Sequence, residues 1–126
     1  EKYLEKQSDK APIVFVDFHA ESTAEKQALA WHFDGRVSAI IGTHTHVQTA
    51  DERILEKGTG FLTDAGMTGS FDSVIGMVPK VAIRRFLTQT PQPFQTASDN
   101  LHICGAVVQI EVESGKCVSI ERVCIP

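Results

Sequence analysis

Residues 13–46 read IVFVDFHAESTAEKQALAWHFDGRVSAIIGTHTH. The segment opens on a continuous apolar run, 13–18, broken only by Asp17 near its end. Such a run suits a strand buried on both faces. Ser22-Thr23-Ala24-Glu25 then has the pattern of a capping box, in which the serine hydroxyl takes a free helix amide and Glu25 reaches back. A helix is expected over about 23–33, with Ala24, Ala28, Leu29, Trp31 and Phe33 on its apolar side and Gly35 as its stop. Residues 37–41, VSAII, read as a second buried strand. Strand, helix and strand at this short spacing predict a parallel pair joined by a right-handed crossover.

Further along, residues 60–64, GFLTD, read as a third strand. A glycine-rich loop follows, Ala65-Gly66-Met67-Thr68-Gly69-Ser70. Pro79 suits the first turn of a helix reaching about Thr88, with Val81, Ala82, Phe86 and Leu87 apolar. Residues 103–112 and 117–125 are β-rich and flank Ser114-Gly115-Lys116, which predicts a hairpin with one solvated face. At the other end, Tyr3, Leu4 and Gln7 resemble the tail of a helix rather than its start. The chain opens on Glu1 and not on Met. A piece of a longer protein is therefore expected.

The bulk properties narrow the classes. A chain of 126 residues fits a single domain, and 42% hydrophobic residues allow a real core. A net charge of −4 argues against bulk nucleic acid as a partner. No apolar run is long enough to span a bilayer. Cys104, Cys117 and Cys124 form no close pair in sequence, so reduced thiols in a cytoplasmic protein are expected.

The polar residues cluster where the strands end. The first strand gives Asp17-Phe18-His19-Ala20-Glu21, the second Gly42-Thr43-His44-Thr45-His46, the third Thr63-Asp64-Ala65-Gly66. Ligands of open α/β sheets bind beyond such carboxyl ends. His44 and His46, two apart in an extended segment, would share one face, and imidazole is a common ligand of transition metals. Gly42 is expected to allow a tight backbone turn. His19, at the neighbouring strand end, strengthens the metal reading. Asp17 is either a ligand or, as favoured here, the group that fixes an imidazole from behind. His32 and His102 carry no special role in this reading, and Arg84 and Arg85 read as a solvated helix face.

Together, VDFHAE at 16–21, STAEKQALAWHFDGR at 22–36, GTHTHVQTAD at 42–51 and TDAGMTGS at 63–70 resemble the C-terminal half of YmdB-type metallophosphoesterases, of the calcineurin-like superfamily. The resemblance runs from about residue 11 to the end. It implies a sandwich of two β-sheets flanked by helices, with parallel strand-helix-strand units followed by an antiparallel hairpin. It also implies a dinuclear site, of iron or manganese, that hydrolyses phosphodiesters such as 2′,3′-cyclic nucleotides. His19 and His44 would bind one ion and His46 the other. Asp64, Gly66, Met67, Thr68 and Gly69 would line the phosphate or nucleotide pocket.

The same family carries, in its other half, an Asp after the first strand, a Glu-Asn pair and a Gly-Asn-His motif whose histidine serves as the acid. The single asparagine here, Asn100, precedes Leu101. Three metal ligands and no bridging carboxylate are thus expected in this chain, which should be weak or inert by itself. A sheet lacking its other half should expose apolar surface and favour self-association. Two other readings remain. One is a non-catalytic metal- or phosphate-binding domain, or a site completed by another chain. The other is an amidohydrolase with a His-x-His pair, for which 126 residues are too few to build the barrel.

Overall fold

A computed structural model describes Lys2 and residues 13–126; the expected helix tail around Tyr3 and Leu4 lies outside the described residues. The elements are β1 (Phe15–His19), α1 (Thr23–Phe33), β2 (Ala39–Thr43), β3 (Arg53–Ile54), β4 (Gly60–Leu62), β5 (Gly69–Ser70), α2 (Pro79–Thr88), β6 (Leu101–Ile110) and β7 (Cys117–Ile125).

The first sheet has the order β1-β2-β4-β3. Its first three strands are parallel and β3 closes the edge antiparallel. In β2 and β4 the apolar runs explain the burial: Ala39, Ile40, Phe61 and Leu62 are fully buried, as both faces of a central parallel strand should be. The first run, expected to be buried on both faces, instead forms β1 at the end of the sheet order, where Ile13 and Phe15 are exposed and Val14, Val16 and Phe18 face the core. The core joins Ala30, Val37, Ile40, Leu55 and Phe61, with Val14, Val16, Phe18, Leu29 and Phe33 packed against it. The second sheet, β5-β6-β7, is antiparallel and carries the expected hairpin. Among the described residues, two sheets and two helices give the mixed α/β architecture anticipated from the sequence.

Helix α1 starts as its capping residues dictate, with the Glu25 amide donating to Ser22 Oγ at 3.3 Å. Its inner face is the expected one only in part: Leu29 and Phe33 pack against the core, while Ala24 and Ala28 are exposed. Lys26 and Ala30 are the buried residues, and Trp31 is exposed. Trp31 instead lies under the Arg53 guanidinium, 5.5 Å from the ring centroid. Helix α2 has Pro79 in its first turn, and of its expected apolar side only Ala82 is buried; Phe86 and Leu87 face outward.

Gly42 has a different role from the turn expected of it. It lies within β2, and a Cβ there would stand 1.8 Å from the Thr63 carbonyl oxygen. The glycine is required by the close approach of two chain segments and not by a left-handed φ. That approach lets Ala65 N donate to Gly42 O at 2.8 Å, which ties the loop after β4 to the end of β2.

Candidate functional site

The parallel pairing of β1 with β2 sets His19 opposite Thr43, in register. The next residue, His44, therefore emerges beside His19. His19 Nε2 and His44 Nδ1 lie 2.9 Å apart, with the rings edge to face at a centroid distance of 4.7 Å. A short chain of hydrogen bonds fixes the nearer ring. Thr43 Oγ1 donates to Asp17 Oδ1 at 3.1 Å, which uses its one hydroxyl proton. His19 Nδ1 lies 3.1 Å from the same oxygen and so must donate to it. His19 Nε2 is left with its lone pair toward His44. The group directly behind the imidazole is therefore Thr43, and Asp17 reaches His19 only through that hydroxyl. Glu21 Oε2 approaches the other nitrogen of His44, at 2.5 Å from Nε2.

His44 and His46 do not share one face. The strand ends at Thr43, and His44 and His46 have φ of 123° and 64°. These left-handed values are uncommon away from glycine and send the two rings to different partners. His46 Nδ1 lies 2.9 Å from the carbonyl oxygen of Ile75. A carbonyl only accepts, so Nδ1 donates and Nε2 keeps its lone pair. Ile75 is itself left-handed at φ 48°, an unusual state for a β-branched residue. Three strained backbone positions therefore converge on one loop pair.

Asp64 lies beneath this loop and not on its surface. It is fully buried, and Lys26 Nζ donates to its Oδ2 at 2.9 Å. The amide of Thr45 donates to the same oxygen at 2.9 Å, and the amide of Gly66 to Oδ1 at 2.9 Å. Burial alone pushes this carboxyl upward, but the hydrogen bonds from Lys26, Thr45 and Gly66 together outweigh it and hold the carboxyl below its ordinary value. Asp64 therefore braces the segment carrying the two histidines, Thr45 lying between them. It also occupies the Gly66 amide, one of the donors an anion would need.

The rest of the glycine loop divides. Gly66 has φ 82° and packs against Gln48, where a Cβ would meet Gln48 Cβ at 2.9 Å. Gly69 and Ser70 form β5 and pair with His102 and Leu101. Met67 is half-buried and Thr68 exposed, so these two remain the open stretch of the loop. Gln48 Nε2 reaches three carbonyl oxygens, Ala65 at 3.3 Å, Gly105 at 2.9 Å and Val123 at 3.0 Å. It fastens the histidine segment to the β6–β7 hairpin.

Several of these positions escape a reading of the sequence. Glu21 and Thr43 belong to the quoted motifs, and only the strand register reveals their contacts. Lys26 sits in a helix where lysine ordinarily means solvent. Among the described residues no three or more His, Cys, Asp or Glu side chains form a metal-binding group. What the chain offers a metal is a neighbouring pair of imidazoles, His19 and His44, and a separate oriented imidazole, His46. Imidazole nitrogens suit a transition-metal ion, and these three would make only a partial ligand set.

The comparisons agree with the motifs. The chain matches the family described as YmdB-like protein over residues 1–123. It is 51% identical over 116 residues to a 2′,3′-cyclic-nucleotide 2′-phosphodiesterase of Bacillus subtilis (strain 168), a match covering 92% of this chain and 44% of that protein. The fold is similar to that of a hypothetical protein from Thermus thermophilus, with a TM-score of 0.91 and 43% identity, over 99% of this chain and 49% of the other. It is also similar to a phosphatase of Mycoplasma pneumoniae, with a TM-score of 0.89 and 38% identity, over 98% and 45% of the two chains. The chain spans less than half the length of each of these relatives. On the family match and the strand-end motifs together, the chain belongs to the YmdB-like protein family.

Proposed function

We propose that this chain supplies one part of the active site of a metal-dependent phosphodiesterase, acting on small phosphodiesters of the 2′,3′-cyclic nucleotide class. The carrying observation is the His19–His44 pair at 2.9 Å, with both chain segments registered so that the imidazoles meet beyond the carboxyl ends of β1 and β2. The name of the Bacillus subtilis relative supports the substrate class.

In this reading His19 and His44 hold one iron or manganese ion, and His46, through Nε2, holds its neighbour. Bound metal would polarise the phosphate oxygens and supply an activated water as nucleophile. Asp17 and Thr43 keep His19 in the tautomer that presents Nε2. Ile75 does the same for His46 through its carbonyl. Lys26 and Asp64 hold the loop between the histidines still. Met67 and Thr68 are the loop residues open to a phosphate or nucleotide. The carboxylates, the asparagine and the acid come from a segment equivalent to the part of the relatives that this chain does not match. The chain by itself is then weakly active or inert. Three cysteines without a disulfide among them suit a cytoplasmic setting. Among the described residues no helix is long and apolar enough to cross a membrane.

The test is complementation. The purified chain, with manganese, is assayed on 2′,3′-cyclic AMP alone and after co-expression with the part of the Bacillus subtilis relative that this chain does not match. Activity that appears only in the combination and is lost in His46→Ala supports the proposal. A folded, associated combination without activity leaves a non-catalytic metal- or phosphate-binding domain as the better reading.

A further inference from the structure

Cys104 and Cys124 are distant in sequence, and only the hairpin unites them. They sit directly opposite one another in the β6–β7 register. Their sulfurs are 3.6 Å apart, within reach of a single S–S bond after a small rotation of either side chain. Directly opposed residues of antiparallel strands have Cα separations of about 4.5 or 5.5 Å, and both values fall inside the range that disulfides occupy. The third thiol, Cys117, is buried against Gly60 and donates to the Ser119 carbonyl at 3.2 Å. The pair is therefore set apart by position as well as by distance.

The surroundings give the pair a consequence. The residue after Cys104 is Gly105, and the residue before Cys124 is Val123. Their carbonyl oxygens are two of the three that hold Gln48 Nε2. Gln48 follows His46 by two positions. The two thiols thus flank the attachment of the histidine segment to the second sheet.

We propose that Cys104 and Cys124 form a reversible cross-strand disulfide by exchange with an oxidised low-molecular-weight disulfide, and that the cross-link stiffens the histidine segment through Gln48. Cys124 is exposed and Cys104 only partly so, which assigns their order. The Cys124 thiolate attacks the external disulfide, forming a mixed disulfide and releasing one thiolate of the oxidant. The Cys104 thiolate then attacks Cys124 Sγ, closes the intrachain bond and releases the second thiolate. The protein's two thiol protons pass to the released thiolates. Two protein thiols are oxidised and one external disulfide is reduced to two thiols. In a reducing compartment such a bond acts as a switch and not as a permanent staple.

The experiment equilibrates the native chain in glutathione buffers of increasing oxidation, quenches it with acid and determines intact mass and peptide linkage. The expected product has lost two hydrogen atoms, links Cys104 to Cys124, leaves Cys117 free and reverts with dithiothreitol. Cys104→Ser should accumulate glutathione on Cys124 in place of the cross-link, which also shows that the variant retains a reachable thiol. Backbone amides of Val47, Gln48 and Thr49 should exchange with deuterium several-fold more slowly in the oxidised form. A stable glutathione adduct in the unmodified chain, or a bond involving Cys117, overturns the dithiol assignment. A Cys104–Cys124 bond with unchanged exchange at Val47–Thr49 overturns the link to the histidine segment.

Discussion

His19 Nε2 and His44 Nδ1 stand 2.9 Å apart because β1 and β2 pair in parallel with His19 opposite Thr43. Neither ring is placed by its neighbours in sequence. The register of β1 with the buried strand β2 places both, and hydrogen bonds then select the nitrogen that His19 presents. The Asp17–Thr43–His19 chain is the clearest example, since one hydroxyl proton fixes the tautomer of a ring on another strand.

That chain gives the first prediction. Thr43→Val keeps the β-branched shape of a strand residue but removes the oxygen that receives His19 Nδ1. Affinity for manganese, measured by calorimetric titration, should fall by about 10–100-fold, as when a partner behind a metal-binding histidine is lost. Thr43→Ser should recover most of it. Equal affinities for Thr43→Val and the unaltered chain would show that the hydroxyl does not orient His19.

The second prediction concerns Lys26 and Asp64, 2.9 Å apart and almost wholly buried. Removing one partner strands a charge in the interior, at a cost of about 3–5 kcal/mol. Lys26→Met should therefore destabilise the chain by that amount in urea unfolding. The double variant Lys26→Met with Asp64→Leu should lose less than the sum of the single changes. Additive losses would mean that the two groups do not interact as drawn.

Acid sensitivity follows from the same carboxylate. Asp51 and Asp64 are both held below their ordinary value of 3.8. For Asp51, burial works against the shift and is outweighed by the hydrogen bonds from Thr49 and Thr63. In the acid range the unfolded chain binds more protons than the folded one, so stability rises with pH there. Their contribution is fully present above 3.8 and is lost as pH falls through the lower folded values. Urea midpoints measured across this range should drop steeply in the unaltered chain and less steeply in Asp64→Asn. An identical slope in both would remove Asp64 from the explanation.

Much of this was legible in the sequence, and the illegible part has a physical pattern. The strand-helix-strand unit, the start of α1 at Ser22, the Pro79 helix and the hairpin follow from local rules of periodicity, capping and turns. What failed depends on partners distant in sequence. Lys26 is buried because Asp64 arrives beneath it from the end of β4. Trp31 is exposed on the helix surface, where its ring meets the Arg53 guanidinium from a distant strand. Gly42 is needed because Thr63 passes its α-carbon. His44 and His46 diverge because left-handed backbone interrupts the extended alternation that two-residue spacing suggests. Cys104 and Cys124, unpaired as text, meet only through the hairpin register.

The fourth prediction tests one of those close contacts. Gly42→Ala adds one methyl group in a space already filled by the Thr63 carbonyl, 1.8 Å from the new atom. Strand β2 cannot shift without disturbing β1 and β4, which pair with it on either side. A loss of at least about 3 kcal/mol in unfolding free energy is expected, at the upper end of overpacking effects. A loss below about 1 kcal/mol would show that the strand ends are more pliable than an ordinary packed core.

Ile75 supplies the opposite sign. Its carbonyl holds His46 Nδ1 at 2.9 Å, while its own side chain is exposed and its φ is 48°. An L-residue in this conformation costs about 1–2 kcal/mol, and a β-branched one has little to offset it. Asparagine tolerates the left-handed region and keeps the backbone carbonyl in place. Ile75→Asn should therefore raise stability by about 1 kcal/mol while leaving manganese affinity unchanged. Two readouts separate the outcomes. If stability rises and affinity falls, the isoleucine side chain itself positions the loop that His46 leans on. If stability does not rise, the left-handed backbone at Ile75 is relieved elsewhere in the loop, and the strain assigned to this position is absent.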